Sequence, residues 1–184
     1  MDFGFDIIHS LAGSSKILDW FAIFAGQFLP YLVIIALIIG ILAQRPWRRR
    51  MAIFFFAGLS VLFARGVIQT LINYFFPIDR PFVAKGFAPL ISFPELPSFP
   101  SAHAIVFFSL ATVVFLQMSS RWGIVMYFFA AVIGVARVFV GLHYPIDIIG
   151  GAVIGMLVPL ALRVLLPNLS VKPVDEYSGV SDSE

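Results

Sequence analysis

The chain of 184 residues contains no cysteine, which excludes disulfide scaffolds, thiolate metal sites and cysteine nucleophiles together. It is also poor in charge: 12% of its residues are Asp, Glu, Lys or Arg, against about 25% in soluble domains. With 60% hydrophobic and 16% aromatic residues, there is too little polar surface to cover an apolar core in water. A water-soluble globule of this length is excluded, and the expected solvent for most of the chain is lipid. The few charges are unevenly spread. Residues 1–167 hold 11 of the 12 Lys and Arg but only 6 of the 10 Asp and Glu, for a balance of +5. The stretch 170–184 is polar and acidic, with Asp175, Glu176, Asp182 and Glu184 among serines, and reads as a disordered tail. The basic residues cluster at the ends of apolar runs or inside them, which argues against nucleic acid as a partner.

A transmembrane helix needs about 20 mostly apolar residues. Residues 51–76, 102–118, 122–141 and 146–166 qualify, and 17–43 forms a fifth run divided by Pro30. Its second half, with a turn or two before the proline, is the expected span. The fold class is therefore all-α, a polytopic transmembrane bundle of about five spans, with six as the alternative if 19–29 crosses separately. Residues 3–15 would form an amphipathic, interfacial start. The N-terminus opens with acids and lacks a basic leader segment, so it does not read as a cleaved signal peptide. Residues 44–50, QRPWRRR, place four arginines in one short connection, and the positive-inside rule assigns that loop to the cytoplasm. Alternation then puts the 77–101 loop and the turn at 142–145 outside, and the acidic tail inside, in a multi-pass protein of the cell membrane.

Ionisable residues in or beside spans are expensive and are candidates for function by default. Three segments hold them: Asn73 to Phe82 with Arg80-Pro81, then Pro100-Ser101-Ala102-His103, then Arg137 to Asp147 with His143. Arg80 and Arg137 offer planar forks that match phosphate oxygens. Ser101, after a proline and before an apolar helix, is a natural N-cap, so the backbone amides at that helix start point at an anion site. Two histidines can divide nucleophilic and proton-transfer work. Asp147, four residues after His143, is placed to orient it. Singly, each has a plainer explanation: a turn charge, a cap, an interfacial ring, a snorkelling arginine. Their convergence on one side of the membrane, by a topology deduced from a different loop, favours a phosphoryl-transfer site without metal or cofactor.

In order and spacing these segments resemble the three-part motif of the type 2 phosphatidic acid phosphatase superfamily. That motif runs Lys, six residues, Arg-Pro; then Pro-Ser-Gly-His; then Ser-Arg, five residues, His, three residues, Asp. The resemblance implies that His143 attacks phosphorus and becomes a phosphohistidine, that Asp147 supports it, and that His103 protonates the leaving oxygen and then activates water. It also implies that Arg80, Arg137, Ser101 and the Ala102 amide hold the phosphoryl oxygens, with Asn73 at the remaining clamp position. Residues 1–167 would be the membrane-embedded phosphatase domain and 168–184 the tail. Ala102 replaces the motif's glycine, Ala136 its serine and Asn73 its lysine, the last removing a charge from the clamp. Arg65 lies two turns deeper, about 12 Å along a helix, too far to stand in for that lysine. Arg65, Gln69 and Asn73 share a helix face, read as a polar seam against other spans, or alternatively as part of a second phosphate or head-group site.

The short chain, external site and SFPSAHA segment resemble the undecaprenyl diphosphate phosphatase branch, which implies a polyprenyl diphosphate drawn from the bilayer. Phosphatidic acid or phosphatidylglycerophosphate is the alternative substrate. A catalytically silent lipid-binding subunit is the non-enzyme alternative, disfavoured because both histidines, both arginines and the aspartate are intact. A transporter is weaker still, since no inverted repeat is visible.

Overall fold

A computed structural model describes residues 4–171. Among them, helices α1 (Phe5–His9), α2 (Lys16–Leu42), α3 (Trp47–Phe75), α4 (Pro81–Lys85), α5 (Ala102–Gln117), α6 (Ser120–Phe139) and α7 (Pro145–Leu165) are followed by a 3₁₀ turn, Pro167–Leu169. Of these, α2, α3, α6 and α7 are long and apolar enough to cross a membrane, and α5 is a shorter apolar helix. The described structure is a helical transmembrane bundle. The acidic residues read as a tail lie outside the described residues, which end at 171; the 3₁₀ turn at Pro167–Leu169 stands just before the 170–184 stretch.

The short helix α5 is the axis of the bundle. It packs on α6, α7 and α3, and Ile105, Val113 and Val114 join Ile53 and Phe56 in the largest buried cluster. Outward faces are apolar too: Ile39, Phe54, Phe128, Leu157 and Val164 are all exposed, as expected of a surface solvated by lipid tails. Without a hydrophobic driving force between helices in lipid, close approach depends on small residues. Gly151 and Gly155, one turn apart on α7, supply it. A Cβ on Gly151 would lie 2.7 Å from Ala104 Cβ and 2.8 Å from Ser101 O, and one on Gly155 would lie 2.6 Å from Ile105 O. The start of α7 is therefore laid against the start of α5, and Ser101 N–H donates to Asp147 O at 3.0 Å.

One element differs from the sequence expectation. Pro30 does not divide the first apolar run: α2 is continuous through it. A π-helical turn at Phe24–Phe28 precedes the proline, and Leu29 N–H reaches back to Phe24 O. Proline lacks the N–H that would bond four residues back, which frees Gly26 O, and Arg137 Nη1 takes that carbonyl at 3.4 Å. Breaks in a helical ladder persist where another group satisfies the freed carbonyl. The amphipathic start forms α1, which lays one face on protein. Phe5 is buried with Val138 and Tyr144, and His9 Nδ1 donates to Phe139 O at 2.8 Å. Ile7 on its other face is 75% exposed.

The basic 44–50 loop closes the opposite end of the bundle from the candidate residues. There Arg49 Nη2 donates to Gln117 O, at the far end of α5, at 2.7 Å.

Candidate active site

The five-residue interval between Arg137 and His143 has a local cause. At the end of α6, Gly141 takes φ +85°, Gly141 N–H donates to Val138 O, and Leu142 N–H to Arg137 O, both at 3.0 Å. These are the paired bonds of a Schellman cap, which reverses the chain and needs a glycine at the left-handed position. The reversal delivers His143 to the mouth of the bundle one turn past Arg137. Pro145 then opens α7 with a fixed φ, Tyr144 is its N-cap, and Asp147 Oδ2 accepts Tyr144 N–H at 2.8 Å.

The same carboxylate oxygen faces the imidazole. His143 Nδ1 lies 3.3 Å from Asp147 Oδ2, and Ser98 Oγ donates to that oxygen as well. A carboxylate only accepts, so Nδ1 carries the ring proton and Nε2 carries the lone pair. Nε2 points at Arg80 Nη1, 3.1 Å away. Burial pushes the His143 imidazolium down to about 4, reinforced by the positive charges of Arg80 and Arg137 and opposed by its hydrogen bond to Asp147. The ring is neutral at pH 7, the form a nitrogen nucleophile requires.

Arg80 is strapped to backbone carbonyls: Nε to Leu96 O at 2.9 Å, Nη1 to Leu142 O at 2.9 Å, and Nη2 to Pro97 O at 3.3 Å. Burial lowers its pKa to about 10, against an upward pull from Asp147, so the guanidinium stays charged at neutral pH. Arg137 is 3% exposed and does not snorkel. The ring of Phe93 lies against both guanidiniums, with centroid distances of 4.4 Å to Arg80 and 5.0 Å to Arg137. Among the described residues, Arg137 Nε and Nη2 and Ser101 Oγ are buried without a hydrogen-bond partner. Ser101 sits at the N-cap of α5 without making the side-chain cap bond. A buried unpaired donor costs about 1–3 kcal/mol, so orphaned donors gathered near the His143 ring call for an anionic ligand.

A cavity of about 500 Å³ opens here. Of the residues singled out in the sequence, Arg80, Ala102, His103, Arg137 and His143 line it. Ser101 and Asp147, both wholly buried, stand directly behind. Asn73 is not brought to the cavity wall; Arg65, expected to lie too deep, is. Deeper walls are apolar, formed by Tyr31, Ile34, Val106 and Phe107. An apolar groove of about 580 Å³ near the cytoplasm-assigned end, lined by residues such as Leu37, Met118 and Trp122, has no ionisable side chain in its lining. Two site residues escaped the sequence reading. Ser98 sits two positions before Pro100 with no local mark of its role, and Phe93 is one of 21 phenylalanines. Among the described residues, no three His, Asp or Glu side chains are grouped to hold a metal ion.

Residues 54–170 match the family described as the PAP2 superfamily. The chain is 31% identical over 166 residues to the putative undecaprenyl-diphosphatase YbjG of Escherichia coli, covering 88% of this chain and 80% of that protein. It is 29% identical over 160 residues to the undecaprenyl-diphosphatase BcrC of Bacillus subtilis, covering 84% and 78%. Among solved structures it resembles Aquifex aeolicus LpxE, with a TM-score of 0.68 and 23% identity over 85% of this chain and 90% of the other. The PAP2 type phosphatidylglycerolphosphate phosphatase of Bacillus subtilis has the same fold more distantly, with a TM-score of 0.52 and 18% identity over 90% and 94%.

Proposed function

The chain belongs to the PAP2 superfamily of membrane lipid phosphatases, and on that premise we propose that it hydrolyses a polyprenyl diphosphate to the monophosphate through a phosphohistidine on His143. One observation carries the mechanism: His143 Nε2, which accepts from Arg80 Nη1, lines the same cavity as Arg137, and among the described residues Arg137 Nε and Nη2 and the hydroxyl of Ser101 have no hydrogen-bond partner. The lipid's terminal phosphoryl group satisfies them. Its oxygens take Arg137 Nε and Nη2, Ser101 Oγ and the first amides of α5, where an anion is favoured. Arg80 Nη1 shifts from His143 Nε2 to a phosphoryl oxygen and releases the nucleophile.

Nε2 then bonds to phosphorus as the bridging P–O bond breaks, and His103 gives its proton to the departing lipid monophosphate. Asp147 stabilises the positive charge that develops on the His143 ring. Water attacks the phosphohistidine, its proton passes to His103, the P–N bond breaks, and inorganic phosphate leaves with both rings restored. The two fixed guanidiniums supply the positive charge that the transition state needs. The names of the two curated relatives support a polyprenyl diphosphate as substrate, and the apolar deep wall suits its chain.

The test is phosphate release in detergent with a chelator present, compared across undecaprenyl diphosphate, undecaprenyl monophosphate, phosphatidic acid and phosphatidylglycerophosphate. Undecaprenyl diphosphate is expected to be hydrolysed fastest, with no loss on chelation. Faster hydrolysis of a glycerophospholipid would replace the substrate, and chelator-sensitive release would overturn the metal-free reading.

The site faces the extracytoplasmic side, supported by the four arginines of the 44–50 loop at the other end. The chain has no cysteine, so a single introduced one reports unambiguously. An Ala88→Cys variant, in the exposed stretch after α4, should react with an impermeant maleimide on intact cells. Reaction only after permeabilisation would invert the topology.

A further inference from the structure

Helix α3 is pinned against α5 at one polar contact. Gln69, 3% exposed, donates from Nε2 to Pro100 O at 2.8 Å, two residues ahead of the first residue of α5. At about 1.5 Å of rise per residue, Asn73 stands about 6 Å farther out, beyond the start of α5. Arg65 stands about 6 Å farther in, level with the first turn of α5, where His103 projects. The register therefore brings Arg65 to the catalytic cavity, at a depth that fits the second phosphate site left as the alternative and not the position of the motif lysine. Around Arg65, α3 is wound as a π-helix over Leu62–Ile68, a local widening that re-aims side chains and recurs at functional sites.

Arg65 lines the same cavity as Arg80, Arg137, His103 and His143, and its charge is among those acting on His103. Among the described residues it has no ion-pair partner. An arginine set inside a span without a counterion is expensive, and such residues face a substrate path. Past it the wall turns apolar, at Tyr31, Ile34 and Phe107, the direction in which a lipid chain must leave. An anion held by Arg65 thus lies between the phosphoryl group clamped by Arg80 and Arg137 and the hydrocarbon. In a diphosphate lipid that is the place of the phosphate esterified to the chain; a monophosphate lipid has no phosphate there.

We propose that Arg65 binds the lipid-proximal phosphate of a diphosphate substrate and so selects diphosphates over monophosphates. The proposal rests on the phosphatase reading above and adds to it the residue that reads the leaving group. It is tested by measuring kcat/KM of the full chain, wild type, Arg65→Gln and Arg65→Lys, on undecaprenyl diphosphate and on phosphatidic acid. Arg65→Gln should lower the diphosphate value about 10- to 100-fold, the scale of a charge-assisted contact, and move the phosphatidic acid value by less than about threefold. Arg65→Lys should recover part of the loss. Retained phosphatidic acid hydrolysis, together with an unchanged melting temperature in detergent, shows that the variant is folded. Equal losses on both substrates, or no loss on the diphosphate, would overturn the assignment while leaving the phosphatase reading intact. A wild-type protein inert toward every lipid phosphate would overturn both.

Discussion

His143→Ala is expected to abolish phosphate release, by about four orders of magnitude or more, the scale on which removal of a nucleophile acts. The expectation follows from how completely the ring is committed. Its Nδ1 proton is held by Asp147 Oδ2 at 3.3 Å, that oxygen is itself held by Ser98 and by Tyr144 N–H, and Nε2 alone faces the cavity. No other imidazole is so placed, because His103 lies on α5 without a carboxylate behind it and His9 is tied to Phe139 O among the described residues. Brief mixing of wild type with a lipid radiolabelled in its terminal phosphate should trap acid-labile, alkali-stable label on the protein, and His143→Ala should trap none. Activity retained by the variant would remove His143 from the mechanism. The pH profile gives a second reading. Burial holds the His143 pKa at about 4 instead of the ordinary 6.5. The neutral nucleophile is therefore present above about pH 4 and lost as pH falls through that value. The acid limb of kcat/KM belonging to this ring, which reports the free enzyme, is expected near pH 4.

What the sequence made legible was local. Motif intervals are short because helix caps set them. The Schellman turn at Gly141 fixes the spacing from Arg137 to His143, and the α7 N-terminus fixes the spacing from His143 to Asp147. Both could be counted along the chain. What remained hidden depends on contacts between distant segments. Ser98 matters only because Gly151 and Gly155 let α7 settle on α5, bringing Asp147 to it. Phe93 matters only because the 77–101 loop folds back beneath two guanidiniums. Pro30 marked a break by every local rule, yet the helix runs on, since a π-turn and Arg137 from another helix satisfy what the proline leaves open. The exchange of Asn73 for Arg65 has the same origin. Axial distance from the motif position was counted correctly, but depth relative to α5 is set by Gln69 and Pro100, a register that no single helix carries in its own sequence.

Arg137→Ala is expected to lower kcat/KM on the preferred lipid about 10³-fold, the range found when a charge-stabilising donor is removed from a transition state. The argument is electrostatic and geometric. Phosphoryl transfer spreads charge over three equatorial oxygens, and Arg137 offers two buried nitrogens, Nε and Nη2, that have no hydrogen-bond partner among the described residues. Arg80 cannot replace it in full, because its Nε and one hydrogen on each Nη already donate to backbone carbonyls, which leaves it fewer donors for the phosphoryl group. Arg137→Lys separates charge from shape. It restores the cation but not the planar fork, so it should fall between alanine and wild type, about 10- to 100-fold below the latter. Because Arg137 also caps Gly26 O in α2, alanine could act by loosening the bundle. Orthovanadate, which adopts the trigonal bipyramid of the reaction at phosphorus, distinguishes the two causes. A fork that acts on the transition state predicts that vanadate inhibition weakens in parallel with kcat in both variants, while the melting temperature of Arg137→Lys stays close to that of wild type. Vanadate affinity unchanged in a variant that has lost activity would confine Arg137 to holding α2 in place.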